Sequence, residues 1–342
     1  MVATQAVRSA AEARHEDYGF FGPDSPTWRI WTYPTALTIG FQRSVVVEEL
    51  DPFLLAAVNA RRGIYTNPKL RYDRTIRYFA TVAVGDTRSA IAASELLVKV
   101  HAKAVGIEPV SGKRFDANDP DSQLWILLTG WHSVLIAYER FGPGKLSAED
   151  EARYWEECAV AAELQTCAPA DVPRSRAGIR EYFAAMRPRL AASELTQATM
   201  RYLLDGTRIT IDDETPRVLR PFLRMAGRVM RAATVSTMPD YMRELAGIRQ
   251  PRWIDAAVTP FVRLAMKYLA TRRASLALVD AIAPSSRPVI EPVIRGIAPL
   301  RSETLTPEQA RNRYNTISPA EMHRQILQRT ANEARAQAQA AH

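Results

Sequence analysis

The sequence predicts a mostly α-helical fold, on three observations. Ala, Leu, Arg, Glu and Met dominate, and these are favourable helix residues. Strict period-two alternation over strand-length windows is nearly absent. Gly and Pro punctuation divides the chain into segments of helix length, at about 34–44, 51–62, 70–84, 87–105, 119–141, 147–165, 175–190, 193–204, 216–236, 239–246 and 254–282. This gives about eleven helices in a single globular domain covering residues 20–300. It lies between an N-terminal segment, 1–19, and a polar C-terminal tail, 301–342.

The 342 residues are 47% apolar and 24% charged, enough to bury one large core, and this excludes wholesale disorder. Residues 106–120, GIEPVSGKRFDANDP, hold two Gly, two Pro and several Asp or Asn, so an irregular excursion, with room for a short hairpin, interrupts the helices there. In the tail, Thr306 caps a helix begun by Pro307 and Ser318 one begun by Pro319, so short surface helices fraying at the end are expected. Cys158 and Cys167 cannot form a disulfide framework and lie too far from any His for a closed zinc site. The first twenty residues lack the apolar run of a signal peptide, and charged residues such as Arg263 and Lys267 interrupt the best candidate for a membrane span. A cytoplasmic location is the expectation.

The net charge of +8 favours anionic partners. Arg217, Arg220, Arg224, Arg228 and Arg231 recur every three or four residues and share a helix face, either a solvated face or a stripe contacting an anionic lipid or other anionic ligand. No nucleic-acid motif accompanies it, so no nucleic-acid partner is expected. Walker, dinucleotide-binding and GxSxG motifs are missing.

The chemistry-bearing residues concentrate in residues 70–106. Arg71, Arg74, Thr75 and Tyr78 fall at i, i+3, i+4 and i+7 and share a helical face. Val84-Gly85-Asp86 breaks that helix, and Asp86 or Thr87 caps the next, which makes a hairpin. On its second arm His101 shares the apolar face with Leu97 and Val98, away from Lys99 and Lys103. Arg74 and His101 lie roughly 16 Å and 22 Å from the turn, so they could border one cavity, provided the arms splay beyond the usual ~8–10 Å. His101 reads either as a hydrogen-bonded core imidazole or as a single axial ligand of a haem iron. A competing imidazole, His132, sits in the apolar run LLTGWHSVLIAYERF, either in the core or beside a haem propionate or substrate.

The runs RYDRT, VGD, VHAKAVG and NDPDSQLWILLTGWHSVLIAYERFGPGKLSAED, with MPDYMRELAGIRQPRW at 238–253, resemble the catalytic domain shared by latex-clearing rubber oxygenases and the mycophenolate-pathway oxygenase. The resemblance runs from about Gly22 to Trp253 and implies a mostly helical oxygenase. Rubber-cleaving members carry haem b with a proximal His and a distal Lys or Arg cluster. Carried over, it makes His101 the proximal iron ligand and puts Arg71, Arg74 and Thr75 on the distal side as catalytic residues, with Arg71 and His132 as further cofactor contacts. The sequence departs at Arg74, where rubber oxygenases have the distal Lys, and at Leu127, where a His is common. Arginine cannot ligate iron, so an open or water-ligated distal position is expected. Glu48 and Glu49 are the nearest acids upstream, with no base assigned. The resemblance implies dioxygen or peroxide as oxidant and a small apolar or lipid-like substrate. The alternatives are a haem-free helical ligand-binding protein and a peripheral interaction protein acting through Arg217–Arg231.

Overall fold

Side-chain caps start the principal helices where the sequence places them. Ser25, Asn67, Asp86, Asp119, Ser147 and Ser175 each accept a hydrogen bond from the backbone N–H three residues on. The computed structural model describes residues 14–60 and 63–340. In chain order the helices are α1 Pro26–Trp31, α2 Phe41–Glu48, α3 Pro52–Ala60, α4 Gly63–Thr66, α5 Pro68–Val84, α6 Thr87–His101, α7 Pro120–Phe141, α8 Ala148–Ala162 and α9 Arg176–Met186. Next come α10 Glu194–Leu203, α11 Thr207–Thr210, α12 Arg220–Ser236, α13 Asp240–Leu245, α14 Arg252–Leu269, α15 Arg272–Ile282, α16 Arg287–Arg295, α17 Pro307–Tyr314 and α18 Pro319–Ala340. A π-helical turn, Ala36–Gly40, leads into α2.

The described residues thus hold eighteen α-helices, against about eleven expected from the sequence. The expected 254–282 helix breaks at Thr271, whose extended backbone (φ −67°, ψ 143°) begins α15. Further elements are one- or two-turn helices such as α1, α4 and α11, too short for an apolar period to register. Residues 106–120 do contain a hairpin: β1 (Val105–Ile107) pairs antiparallel with β2 (Arg114–Asp116). Gly106 is required there, because a Cβ would sit 2.7 Å from the Phe115 ring it faces.

The 22-residue α7 is the axis of the core. Trp125, Leu128, Trp131 and Leu135 are all but fully buried in it. Trp31 stacks on Phe79 of α5 and meets Trp131 edge-on, and Tyr154 of α8 donates to the Trp131 carbonyl at 2.8 Å. The π-helical turn approaches α7 so closely that a Cβ on Gly40 would lie 2.9 Å from the Val134 Cα. Among the described residues, no helix is long and apolar enough to cross a membrane.

Helices α5 and α6 form the expected hairpin. The Leu164 carbonyl, just beyond α8, accepts from Tyr78 Oη of α5 at 2.9 Å and from Ser94 Oγ of α6 at 2.6 Å. Farther from the turn, Asn118 Nδ2 donates to the Val98 carbonyl at 2.9 Å, while Thr166 Oγ1 donates to the Asn118 carbonyl at 2.7 Å. The 164–167 loop is therefore bonded to both arms.

The C-terminal tail is tied down. Residues 300–305 run beside residues 15–19, with backbone bonds from Leu300 to His15, Tyr18 to Glu303 and Leu305 to Gly19. Leu305 and Ala310 are buried, and α17 and α18 pack on α6. The hairpin turn is held from the other side by Asp17, wholly buried, which accepts from Gly19 N (2.9 Å), Thr87 N (2.8 Å) and Thr87 Oγ1 (2.7 Å). Asp17→Ala strands three donors and is expected to cost about 2–4 kcal/mol of unfolding free energy in a urea titration, with Asp17→Asn costing less. A loss within ~0.5 kcal/mol of zero would contradict the account of Asp17 as the staple of the turn.

Candidate active site

Helix α2 is largely apolar and buried, yet its sequence FQRSVVVE carries Arg43, Ser44 and Glu48, and Glu49 caps its C-terminus. Helical spacing of four puts Ser44 against Glu48, and Ser44 Oγ donates to Glu48 Oε1 at 2.5 Å. Thr129 and Ser133, likewise four apart on α7, face α2. Thr129 Oγ1 lies 3.3 Å from Glu48 Oε1, and Arg43 Nη1 donates to Ser133 Oγ at 2.6 Å. Arg43 also donates to the Thr237 carbonyl at 3.4 Å. Glu49 Oε2 is buried without a hydrogen-bond partner.

Beside these carboxyls opens a cleft of about 100 Å³. Glu48, Glu49, Phe41 and Val45 form one wall, and Arg71, Tyr72 and Thr75 of α5 another. Val58, Ile64 and the 202–209 segment close it. Two larger surface depressions, about 700 and 420 Å³, lie around Asp240–Arg252. Four of their charged residues form the Arg243–Asp255 (2.9 Å) and Arg252–Asp240 (2.6 Å) pairs, whereas the smaller cleft is lined by Glu49, which holds an unsatisfied carboxyl oxygen.

Burial dominates the electrostatics. It raises Glu48 to about 7, against the lowering bonds from Ser44 and Thr129 and the nearby Arg71 charge. Burial raises Glu49 to about 8, and the neighbouring Glu48 pushes the same way. One guanidinium does not offset the desolvation of two carboxyls. Burial also brings Arg43 down to about 10, leaving it charged at neutral pH. His132, half-buried with its ring centroid 4.9 Å from that of Phe183, is pushed well below its ordinary value by burial and by Arg43 and Arg176. Its Nδ1 is buried without a hydrogen-bond partner, and it does not line the cleft.

The residues singled out in the sequence separate into three places. Arg71 and Thr75 line the cleft, and Thr75 Oγ1 donates to the Arg71 carbonyl at 2.9 Å. Arg74 is exposed on the flank of α5 and is not part of the cleft lining. His101, half-buried, is the last residue of α6, outside that lining. Gln123 Nε2 stands 3.3 Å from His101 Nδ1, to which it can only donate, and also donates to the Ala117 carbonyl at 2.7 Å.

The side chains are of the types that hold a haem, but they do not line one cavity: the imidazole of His101 stands at the end of α6, outside the cleft that Arg71 and Thr75 face from α5. The cleft is smaller than the roughly 300–1,000 Å³ of pockets for ligands of that size, so accommodating a macrocycle requires its walls to spread. Both cysteines are buried, and burial raises Cys167 to about 12 and Cys158 further, so neither is a thiolate ligand.

Residues 28–271 match the family described as ER-bound oxygenase mpaB/B'/Rubber oxygenase, catalytic domain. The chain belongs to this family. It is therefore an oxygenase-type catalytic domain, in agreement with the resemblance read from the sequence. No curated protein matches the chain, and no solved structure does.

The buried carboxyl pair and its hydroxyl partners escaped the sequence reading, which gave Glu48 and Glu49 no role. A signal was present: Ser44–Glu48 and Thr129–Ser133, each four apart, put polar groups on one face of otherwise apolar helices. Both carboxyls bind their protons more tightly in the folded chain than in the unfolded one, so the folded state holds the extra protons between about pH 4.5 and pH 8. Their contribution to stability therefore falls as pH rises through that window. Glu49→Gln is expected to raise the thermal midpoint at pH 8.5 by about 2–4 °C and leave it unchanged at pH 4. An equal shift at both pH values would show that Glu49 is not titrating in the interior.

Proposed function

We propose that this oxygenase acts through haem b held by His101, with dioxygen or peroxide as oxidant, on a small apolar or lipid-like organic substrate bound beside Arg71, Thr75, Glu48 and Glu49. The observation that carries the reading is the carboxyl pair, Glu49 buried and Glu48 half-buried, in a cleft whose other walls are mostly apolar apart from Arg71, Asp205 and Arg208. The family supports oxygenase activity, and the donor set on the two arms supports the cofactor. Bound haem would supply the activation of oxygen, a redox chemistry for which protein side chains are poorly suited.

The chain's own residues then have separable tasks. His101, oriented by Gln123, would hold the iron. Phe41, Val45, Val58 and Ile64 exclude water and select apolar substrate. Arg71 places a fixed positive charge where negative charge develops, and the Thr75 hydroxyl beside it offers a second polar group to an oxygen atom. Glu48, poised near neutrality and gripped by Ser44 and Thr129, accepts a proton from the substrate; Glu49, protonated at neutral pH, returns one. This assigns to Arg71 and Thr75 the polar role expected of the Arg71–Arg74–Thr75 face, and leaves Arg74 on its exposed edge.

Oxygen uptake or product formation by haem-loaded protein over a panel of apolar alkenes and lipids tests the reading. Arg71→Ala is expected to lower kcat/KM by about 10²-fold or more, and exposed Arg74→Ala by less than about tenfold. The pH profile should be bell-shaped with limbs near 7 and 8 belonging to the carboxyl pair, and Glu49→Gln should remove the alkaline limb. Turnover indifferent to Arg71, Glu48 and Glu49 would refute this cleft as the site of reaction.

A further inference from the structure

Helix α14 has two apolar faces, and the fold uses one of them. Val258, Val262 and Met266 point inward with Ile39, Ala137, Phe141 and Ala233. On the other side Trp253, Phe261, Leu264 and Tyr268 are 70–72% exposed. At about 100° per residue these four fall within an arc of roughly 80°, a stripe of large side chains interrupted by Ala257 between Trp253 and Phe261. Neighbouring α12 and the residues leading into it add exposed Val218, Leu219, Phe222 and Met225.

The charges around this stripe are mostly positive. Between residues 249 and 273 the chain carries Arg249, Arg252, Arg263, Lys267, Arg272 and Arg273, all exposed; Arg252 is paired with Asp240, and the single acid within the range, Asp255, is buried and paired with Arg243. From 216 to 239 there are five arginines and no acid. Trp253 stands at one end of the stripe and Tyr268 at the other, side chains with an apolar body and a polar tip suited to the boundary between headgroups and acyl chains.

We infer that α14, with the start of α12, is a docking surface for an anionic lipid bilayer. Trp253, Phe261, Leu264 and Tyr268 would enter the headgroup–acyl boundary while Arg263, Lys267 and the neighbouring arginines meet lipid phosphates. Charge complementarity selects this occupant: a nucleic acid would satisfy the arginines but leave the apolar stripe in water, and a second copy of the chain would bring the same uncompensated positive charge against itself. The sequence reading placed possible membrane contact on the Arg217–Arg231 face. The structure moves its apolar half to α14. The inference is independent of haem.

The test is co-sedimentation of the full-length chain with phosphatidylcholine vesicles, with and without phosphatidylserine, at low and high salt. Binding is expected with phosphatidylserine at low salt, weakening as salt rises. Phe261→Glu/Leu264→Glu should lower the bound fraction about tenfold or more while circular dichroism and the thermal midpoint stay at wild-type values, since both positions face solvent. Arg263→Glu/Lys267→Glu should abolish the preference for phosphatidylserine. A bilayer-embedded quencher should dim the wild type more than Trp253→Phe. No vesicle binding, or binding indifferent to the two apolar substitutions, would overturn the inference. So would a lipid-free dimer in sedimentation equilibrium that those substitutions convert to monomer while vesicle binding is unchanged.

Discussion

Leu164 presents one carbonyl oxygen to both arms of the α5–α6 hairpin, and this shared acceptor fixes α5, the helix that carries Arg71 and Thr75, against α6 and the loop after α8. Two antiparallel helices joined by a tight turn would ordinarily close to about 8–10 Å and bury their facing side chains against each other. Here Tyr78 and Ser94 also reach the same acceptor, so the loop that leaves α8 is bonded to both. Each bond is worth about 1 kcal/mol on its own, but the loop they fix also carries Thr166 and the buried Gln165. Arg71 and Thr75 face a cleft closed by α2 and the 202–209 segment rather than by α6, and His101 is half-buried at the end of its arm.

The second constraint is the cost of placing two carboxyls in the interior of an apolar helix pair. Neither α2 nor α7 contributes a cation to them, and Arg43, one turn away, is engaged with Ser133 and the Thr237 carbonyl. The structure accepts this cost, as sites that handle protons do. Ser44 and Thr129 lower Glu48, while Glu49 is raised further by the neighbouring Glu48, so the two carboxyls differ in environment.

The helical class, the hairpin over residues 70–101 and its Asp86 cap were legible in the sequence, because local spacing and capping chemistry decide them. So were the caps at Thr306 and Ser318. The family was legible from runs such as RYDRT and VHAKAVG. Short helices such as α4 and α11 were not, because one turn has no period. Nor was the tie between the hairpin arms, since it depends on Leu164, seventy residues from Ser94. Arg71 and Arg74 looked equivalent on one face, but only Arg71 borders the cleft, because α2 and the 202–209 segment cover one edge of that face. The role of Glu48 and Glu49 rests on α2 packing against α7, a contact between segments about eighty residues apart.

The central proposal is that the α5–α6 hairpin holds a haem through His101. The most direct measurement is the absorption spectrum of protein produced with ample haem precursor, comparing wild type with His101→Ala and His132→Ala. The account predicts a Soret band in the wild type and in His132→Ala, lost or shifted in His101→Ala while the helical circular dichroism of all three stays the same. No Soret band in the wild type after haem reconstitution, or one that survives His101→Ala unchanged, would contradict it.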